Sequence, residues 1–117
     1  MGRKTFESLN GLLKNRHHVV LSSSNCFPSE VDVYDNLESL LKDYDNKDEE
    51  IFIIGGESIY KEFIDTSDKL YLTEIDSECK DATTYFPYFD KSKFDKEILK
   101  ENSDDGINYK HVLYKRK

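Results

Sequence analysis

Short apolar runs separated by polar turns set the order of elements along the chain. The most apolar runs lie at residues 18–21 and 51–54, and continuous runs rich in β-branched residues are typical of strands covered on both faces of a parallel sheet. We therefore predict buried strands at both places. The alternation of apolar and polar residues at 31–34 indicates a short edge strand. The polar residues 22–25 predict a turn or a phosphate contact after the first strand.

Helical spacing of apolar residues occurs before, between and after these strands. Apolar residues recur every three or four positions across residues 37–44, after Asp35 or Asn36, either of which can cap a helix. A second helix is predicted from Glu57. Residues 5–9 are predicted to be the last turns of a third, shorter helix that ends at an Asn-Gly pair.

The pattern changes in the last third of the chain. Strands are predicted at residues 70–75, 94–101 and 109–114, and the loop at 103–106 is short enough for a β-hairpin. The charged residues 45–50 predict a solvated loop. Alternating strands and helices followed by a hairpin predict an α/β layered domain with a mainly parallel sheet that ends antiparallel. The length of 117 residues is that of one small domain, so we predict a single domain over residues 1–117.

Charge and composition exclude several function classes. A net charge of −7 argues against a nucleic-acid partner, and no apolar run approaches the roughly 20 residues that span a bilayer. Cys26 and Cys79 lie far apart without metal-type spacing, so we predict no metal site and a reduced, cytoplasmic protein. His17 and His18 begin a strand and point to opposite faces, so they form neither a ligand pair nor a catalytic site.

Two glycines, Gly55 and Gly56, stand between the apolar run at 51–54 and the helix predicted from Glu57. Glycine tolerates unusual φ angles and lets another backbone or a ligand approach closely, while the amides at a helix start can bind an anion. Such a pair is also common in a plain tight turn. Alone, it leaves both interpretations open.

Five strings of residues occur in an order that can be compared with known families. They are MGRKTFESL at residues 1–9, Arg16 followed by a strand and two serines, IGG at 54–56, LYLTEI at 70–75 and YFP at 85–87. Together they resemble the dihydrofolate reductase family over essentially the whole chain. The resemblance implies a three-layer αβα fold with a mostly parallel central sheet and an antiparallel C-terminal hairpin. It also implies NADPH-dependent reduction of 7,8-dihydrofolate to 5,6,7,8-tetrahydrofolate, a step of one-carbon metabolism.

The resemblance places the cofactor NADPH mainly on the N-terminal half of the chain. It implies that Arg3 and Ser23 lie near the 2′-phosphate, that Lys4 and Thr5 lie nearer the pyrophosphate, and that Tyr60 approaches the nicotinamide. It further implies a cis peptide between two glycines. The full set of implied cofactor-binding residues is Gly2, Arg3, Lys4, Thr5, Leu21, Ser22, Ser23, Ile54, Gly55, Gly56, Glu57, Ser58, Ile59 and Tyr60. The residues at 57 and 58 depart from the glycine and the basic or small residue of many relatives.

The implied substrate-binding residues are Ser8, Leu9, Leu13, Arg16 and Thr73. Arg16 can pair in bidentate fashion with the glutamate-tail carboxylate of a folate, or it can form a surface salt bridge. Leu9 and Leu13 are expected against the aminobenzoyl ring, unless they are plain core residues. The hydroxyl of Thr73 is expected to support the substrate through a water, or Thr73 packs as an ordinary strand residue. Residues 81–84 depart from the family's usual G-D-T string.

The family's first strand, its nicotinamide-covering loop and its catalytic-acid helix have no counterpart in this sequence. We therefore expect an N-terminally truncated chain that needs the missing segment to complete its sheet beside residues 51–54. No catalytic residue is assigned, because the family's proton-donating carboxylate is absent. The isolated chain is predicted to fold poorly or aggregate, and to be inactive. The alternatives are a non-catalytic NADP-binding remnant and, less favoured, a related pterin or pyrimidine reductase.

Overall fold

The computed structural model describes residues 1–24, 26–44 and 49–117. These residues divide into two units, Met1–Glu62 and Phe63–Lys117. Asn25 of the predicted polar turn lies outside the described residues, and so does most of the predicted loop at residues 45–50. Among the helices of the described residues, none is both long and apolar enough to cross a membrane.

The first unit contains short helices around a pair of parallel strands. Strand β1 (His18–Leu21) pairs in parallel with β2 (Val31–Tyr34), and helices α1 (Arg3–Ser8) and α2 (Leu37–Tyr44) precede and follow them. Helix α3 (Glu57–Phe63) begins directly after the glycine pair. The strands predicted at 18–21 and 31–34, and the three predicted helices, are therefore confirmed.

Helix α2 shows why the apolar spacing forms a helix here. The side chain of Asn36 accepts a hydrogen bond from the Ser39 amide at 2.8 Å, which satisfies one of the amides left without a partner at a helix start. Leu40 and Tyr44, four positions apart, are the buried residues of this helix. Both the cap and the apolar stripe could be predicted from the sequence.

The prediction of a buried strand at residues 51–54 is wrong. No strand is formed there within the described residues, and Ile51, Phe52 and Ile54 are 46%, 62% and 40% exposed. β-Propensity describes how well a side chain fits a pleated, half-buried surface, so it becomes a strand only where tertiary pairing supplies that surface. The apolar character of this run is real, but the sheet environment that it implies is not formed in the described part of the chain.

The second unit is a three-stranded antiparallel sheet with the order β3-β5-β4. Its strands are β3 (Lys69–Ile75), β4 (Phe94–Asp104) and β5 (Ile107–Arg116), and a short 3₁₀ helix (Lys91–Lys93) precedes β4. Asp105 and Gly106 connect β4 to β5 with φ angles of 52° and 78°. Two adjacent residues with positive φ match the twist of a two-residue hairpin. The predicted C-terminal hairpin is confirmed.

The core of the second unit packs around Tyr114, whose side chain is 1% exposed. The ring of Phe89 meets it edge-on at a centroid distance of 5.2 Å. Its hydroxyl donates to Glu74 Oε2 at 2.7 Å, and Lys96 Nζ donates to Glu74 Oε1 at 2.7 Å. These bonds to Lys96 and Tyr114 hold the pKa of Glu74 below its usual value. These bonds join one residue from each of the three strands, and they give the Tyr114 hydroxyl a hydrogen-bond partner.

Arg116 ties the end of β5 to the chain that follows α3. Its Nε donates to the carbonyl of Ser67 at 2.9 Å, and its Nη2 donates to the carbonyl of Ile64 at 3.0 Å. The guanidinium carbon also lies 4.6 Å from the centroid of the Phe94 ring. The planar guanidinium therefore satisfies two carbonyls while it stacks on an aromatic face.

Candidate functional site

The start of α1 lies between the end of β1 and the glycine pair. The amide of Gly2 donates to the carbonyl of Gly55 at 2.9 Å, and the amide of Leu21 donates to the carbonyl of Met1 at 2.9 Å. Gly2 and Leu21 also form an isolated parallel bridge. These contacts bring three segments that are distant in sequence to one place in the first unit.

Helix α1 and helix α3 approach each other closely at two glycines. A Cβ atom added to Gly2 would lie 3.3 Å from Ile59 Cγ1, which is tighter than an ordinary contact. A Cβ atom added to Gly55 would lie 3.4 Å from Thr5 Oγ1 and 3.6 Å from the Tyr60 ring. The φ of Gly55 is +120°, a conformation that is open mainly to glycine. Space therefore disfavours a side chain at Gly2, and backbone conformation disfavours one at Gly55.

The peptide bond between Gly55 and Gly56 is cis, as the resemblance implied. The amide of Tyr60 donates to the carbonyl of Gly56 at 2.9 Å, so the first hydrogen bond of α3 starts at the glycine pair. Burial raises the pKa of the Tyr60 phenol, so it stays protonated. Gly2, Thr5, Gly55, Gly56 and Tyr60 are together called the glycine cradle below.

Two exposed or partly exposed ion pairs lie in the helices that flank the cradle, each within one helix. Arg3 Nη1 lies 3.0 Å from Glu7 Oε1, and both side chains are about half exposed, at 47% and 57%. Lys61 Nζ lies 3.9 Å from Glu57 Oε1. Exposed ion pairs of this kind contribute little stability. A phosphate can therefore replace Glu7 as the partner of Arg3 at small cost.

The serines after β1 form the predicted turn as far as it is described. The amide of Ser22 donates to the carbonyl of Tyr34 at 2.8 Å, and the hydroxyl of Ser22 accepts from the amide of Ser24 at 3.1 Å. Ser23 is exposed, as are Lys4 and Ser58. The hydroxyl of Ser22 thus supports the turn, while the side chain of Ser23 faces solvent.

The residues expected at the substrate are divided between the two units. Ser8, Leu9, Leu13 and Arg16 belong to the first unit, and Thr73 belongs to the second. The hydroxyl of Ser8 donates to the carbonyl of Thr5 at 2.6 Å, within α1. The side chain of Arg16 is exposed. These positions leave the substrate roles as predictions.

Thr73 lies opposite His111 in the pairing of β3 with β5. Its Oγ1 is 2.9 Å from His111 Nδ1, and both residues are exposed. The hydroxyl therefore lies at the surface of the second unit, where it is within hydrogen-bond distance of His111. This histidine was not among the predicted site residues.

The contact of His18 was also missed from the sequence. The prediction that His17 and His18 point to opposite faces is confirmed, because His17 lies 2.6 Å from Asp32 in an exposed pair, whereas His18 is 5% exposed. The Nε2 of His18 accepts a hydrogen bond from the amide of Leu13 at 3.0 Å. A buried polar side chain requires a hydrogen-bond partner. A histidine at the start of a strand that was predicted to be buried could therefore have indicated that such a contact exists.

No group of three or more His, Cys, Asp or Glu side chains that could hold a metal ion occurs within residues 1–24, 26–44 and 49–117. The described site offers backbone amides, hydroxyls and guanidinium groups.

Comparison with known proteins identifies the family. The family model described as dihydrofolate reductase matches residues 1–116. Dihydrofolate reductase of Staphylococcus aureus (strain Mu50 / ATCC 700699) is 39% identical over 89 residues, which cover 75% of this chain and 54% of that protein. The chain thus spans about half the length of this relative. Dihydrofolate reductase of Bacillus subtilis (strain 168) is 34% identical over 123 aligned positions, covering 100% of this chain and 71% of that protein.

The fold agrees with a solved structure of the same family. Schistosoma mansoni dihydrofolate reductase superposes with a TM-score of 0.78 and 33% sequence identity, covering 99% of this chain and 72% of that chain. The predicted fold class is confirmed by this likeness and by the mixture of helices with parallel and antiparallel strands. The chain belongs to the dihydrofolate reductase family.

Proposed function

We propose that residues 1–117 act as one cytoplasmic dihydrofolate reductase domain that binds NADPH and takes part in the reduction of 7,8-dihydrofolate to 5,6,7,8-tetrahydrofolate. The observation that supports this most is the glycine cradle. The amide of Gly2 donates to the carbonyl of Gly55, and the cradle brings Thr5 and the Tyr60 ring beside two residues without side chains. Gly55 is buried, whereas Gly56 is partly exposed directly before α3, so the cradle suits close approach of a flat or anionic group at Gly56.

The cofactor is proposed to extend from the cradle toward the end of β1. NADPH supplies the hydride when it is bound, and the chain's own residues position it. Thr5 and the backbone of the cradle are assigned to the pyrophosphate and nicotinamide side. Arg3 and Ser23 are assigned to the 2′-phosphate, because Arg3 is held only by an exposed ion pair and Ser23 is exposed.

The substrate is proposed to be held by its ring and by its carboxylate tail. Leu9 and Leu13 offer apolar contact to the aminobenzoyl ring, and the exposed guanidinium of Arg16 can accept a carboxylate in bidentate fashion. Ser8 is assigned a supporting polar contact, and the role of Thr73 stays a prediction from the resemblance. The proton that the reduction requires is assigned to none of these residues, so we expect cofactor binding without turnover by this chain alone.

Cofactor choice tests the assignment of Arg3. In Arg3→Gln, NADPH affinity is expected to fall about tenfold because a charge-assisted bond to the 2′-phosphate is lost, while NADH affinity stays the same. Glu7→Gln is the matched control, since it removes the partner of Arg3 but leaves its guanidinium. Titration of nicotinamide fluorescence measures both affinities. Equal losses for NADPH and NADH in Arg3→Gln would contradict the assignment.

The substrate assignment is tested with dihydrofolate and with dihydropteroate, which lacks the glutamate tail. Arg16→Gln is expected to weaken dihydrofolate binding about tenfold and to leave dihydropteroate binding unchanged. Lys14→Gln removes an exposed charge two positions away and serves as the control. Isothermal titration in the presence of NADPH measures each affinity. An unchanged dihydrofolate affinity in Arg16→Gln would refute this role.

Turnover is followed separately by the absorbance of reduced nicotinamide with dihydrofolate present. Binding of both ligands without NADPH oxidation is the expected result for this chain. Steady oxidation that depends on dihydrofolate would contradict the expected inactivity while it supports the reductase assignment. Absence of any binding would refute the proposed function as a whole.

A further inference from the structure

A pair of phenylalanine rings joins α1 to the segment that follows β1. The ring centroids of Phe6 and Phe27 lie 5.3 Å apart, with an angle of 72° between the ring planes, and both residues are half-buried. In this edge-to-face arrangement the positive edge of one ring meets the negative face of the other, so the contact contributes energy beyond the area that it buries. The pair therefore holds the segment after β1 against a helix that is distant from it in sequence.

The first residues of this segment form a turn that is fixed to β2. The amide of Ser22 donates to the carbonyl of Tyr34 at 2.8 Å. The hydroxyl of Ser22 accepts from the amide of Ser24 at 3.1 Å, and a hydroxyl-to-backbone bond of this kind folds a chain locally. Ser23 lies between these two bonded residues and is exposed. Its position thus depends on the contact with β2 at one end of the segment and on the contact of Phe27 with α1 farther along.

Phe6 is a close neighbour, within α1, of the arginine that is proposed for the 2′-phosphate. Arg3 and Phe6 are three positions apart in this helix, and residues at this spacing are neighbours on a helix surface. Ser23 and Phe27 likewise belong to one segment. The contact between the two rings therefore brings together the two elements that carry the groups proposed for a single phosphate.

Packing alone and positioning predict different consequences of losing this contact. A pair that only packs would lower the free energy of unfolding and would leave the ratio of NADPH affinity to NADH affinity unchanged. A pair that positions would lower the affinity for NADPH specifically, because Arg3 and Ser23 can share the 2′-phosphate only at a defined separation. NADH lacks this phosphate, so its affinity does not depend on that separation.

We propose that Phe6 and Phe27 are positioning residues that set the separation of Arg3 and Ser23 and thereby the preference for NADPH over NADH. This proposal rests on the proposed function for the identity of the ligand and for the roles of Arg3 and Ser23. Neither phenylalanine is assigned a contact with the cofactor. Their rings act through the helix and the segment that they join.

A small set of variants separates this ring contact from packing in general. Phe27→Leu and Phe6→Leu each keep an apolar side chain but remove one ring, and the double variant removes both rings. Phe27→Tyr keeps both rings and is the conservative replacement. Phe89→Leu is the matched control, because it removes an edge-to-face contact with Tyr114 of nearly the same geometry, 5.2 Å and 77°, in the second unit.

Two measurements are made on each variant. Urea unfolding gives the free energy of unfolding without any ligand, and titration of nicotinamide fluorescence gives the affinities for NADPH and NADH, corrected for the folded fraction. Phe27→Leu and Phe6→Leu are each expected to lose about fivefold in NADPH affinity and little in NADH affinity. The double variant is expected to lose no more than either single variant, because both substitutions remove the same contact. Phe27→Tyr is expected to keep the native affinity ratio, and so is Phe89→Leu despite its lower stability.

The proposal is overturned if the native chain prefers NADPH but the affinity ratio is unchanged in Phe27→Leu and Phe6→Leu. It is also overturned if Phe89→Leu lowers the ratio by as much, since the effect would then follow stability, or if the losses of the two single variants add in the double variant. A native chain that binds NADPH and NADH equally, or binds neither, would contradict the proposed function, and this proposal would fall with it. The native chain alone therefore distinguishes the two kinds of failure.

Discussion

Replacing Gly55 with alanine tests the glycine cradle at its most constrained point. Gly55 has a φ of +120°, and a residue with a Cβ atom carries a backbone penalty of roughly 1–3 kcal/mol in such a region. The new methyl group would lie 3.4 Å from Thr5 Oγ1 and 3.6 Å from the Tyr60 ring. These are ordinary van der Waals distances. The unfolding free energy is therefore expected to fall by the backbone penalty, with little added clash.

Gly11→Ala provides the matched control for that backbone penalty. Gly11 has a φ of +99°, and an added Cβ atom would meet no heavy atom within 4 Å. Both variants are thus expected to lose a similar unfolding free energy, roughly 1–3 kcal/mol. Only Gly55→Ala also places a methyl group inside the cradle that is proposed to receive the cofactor, beside Thr5 and Tyr60. Overfilling a close-packed contact costs enough to weaken NADPH binding about tenfold.

The assay combines urea unfolding with titration of NADPH fluorescence on the same samples. The fraction of folded protein from the unfolding curve corrects the apparent affinity, so that a loss of folded protein is not counted as a loss of binding. The expected result is similar destabilisation in both variants and a corrected NADPH affinity that falls only in Gly55→Ala. Equal corrected affinities in the two variants would show that the cofactor does not approach Gly55.

The second unit supports further predictions that do not depend on the cofactor. The bonds of Glu74 to Lys96 and Tyr114 lower its pKa in the folded chain below the ordinary value of 4.5. They therefore stabilise the fold above about pH 4.5, and this contribution is lost as the pH falls through the lower pKa of the folded state. In Glu74→Gln, the unfolding free energy is therefore expected to fall less on acidification than in the native chain. The difference is expected to be less than about 1 kcal/mol, because the site is partly exposed. An unchanged dependence of the unfolding free energy on pH would contradict this. Arg116→Lys is expected to lower the unfolding free energy by about 2 kcal/mol, since lysine cannot bond two carbonyls in one plane. Arg116→Met keeps the apolar stem, so a smaller loss in Arg116→Met than in Arg116→Lys would refute the hydrogen-bond argument.

Local chemistry made several elements predictable from the sequence. The hairpin follows from Asp105 and Gly106, because that pair readily takes positive φ at both positions, as it does here. Helix α2 follows from its apolar spacing and from the Asn36 cap. The cis peptide after residue 54 followed from the resemblance alone. The hairpin and helix α2 each depend on residues within a few positions of one another.

The contacts of the candidate site depend on the path of the chain and were not predictable in the same way. The hydrogen bond of Leu13 with His18 requires a specific loop conformation that spacing does not specify. The pairing of Thr73 with His111 requires the register of two strands that are 38 positions apart. In both cases the sequence identified a polar residue, and only the fold shows which atom it meets.

Residues 51–56 contain a wrong strand prediction directly followed by a glycine turn that was expected. The apolar run at 51–54 predicted a buried strand, but the exposed Ile51 and Ile54 show that burial depends on a sheet neighbour that composition cannot supply. The next two residues form the expected glycine turn, in which the carbonyl of Gly55 accepts a hydrogen bond from the amide of Gly2 in the same unit. The phosphate-turn interpretation and the buried-strand interpretation were drawn from one segment, yet they rest on different physics. The proposal that the cradle binds the cofactor therefore does not depend on the strand before it.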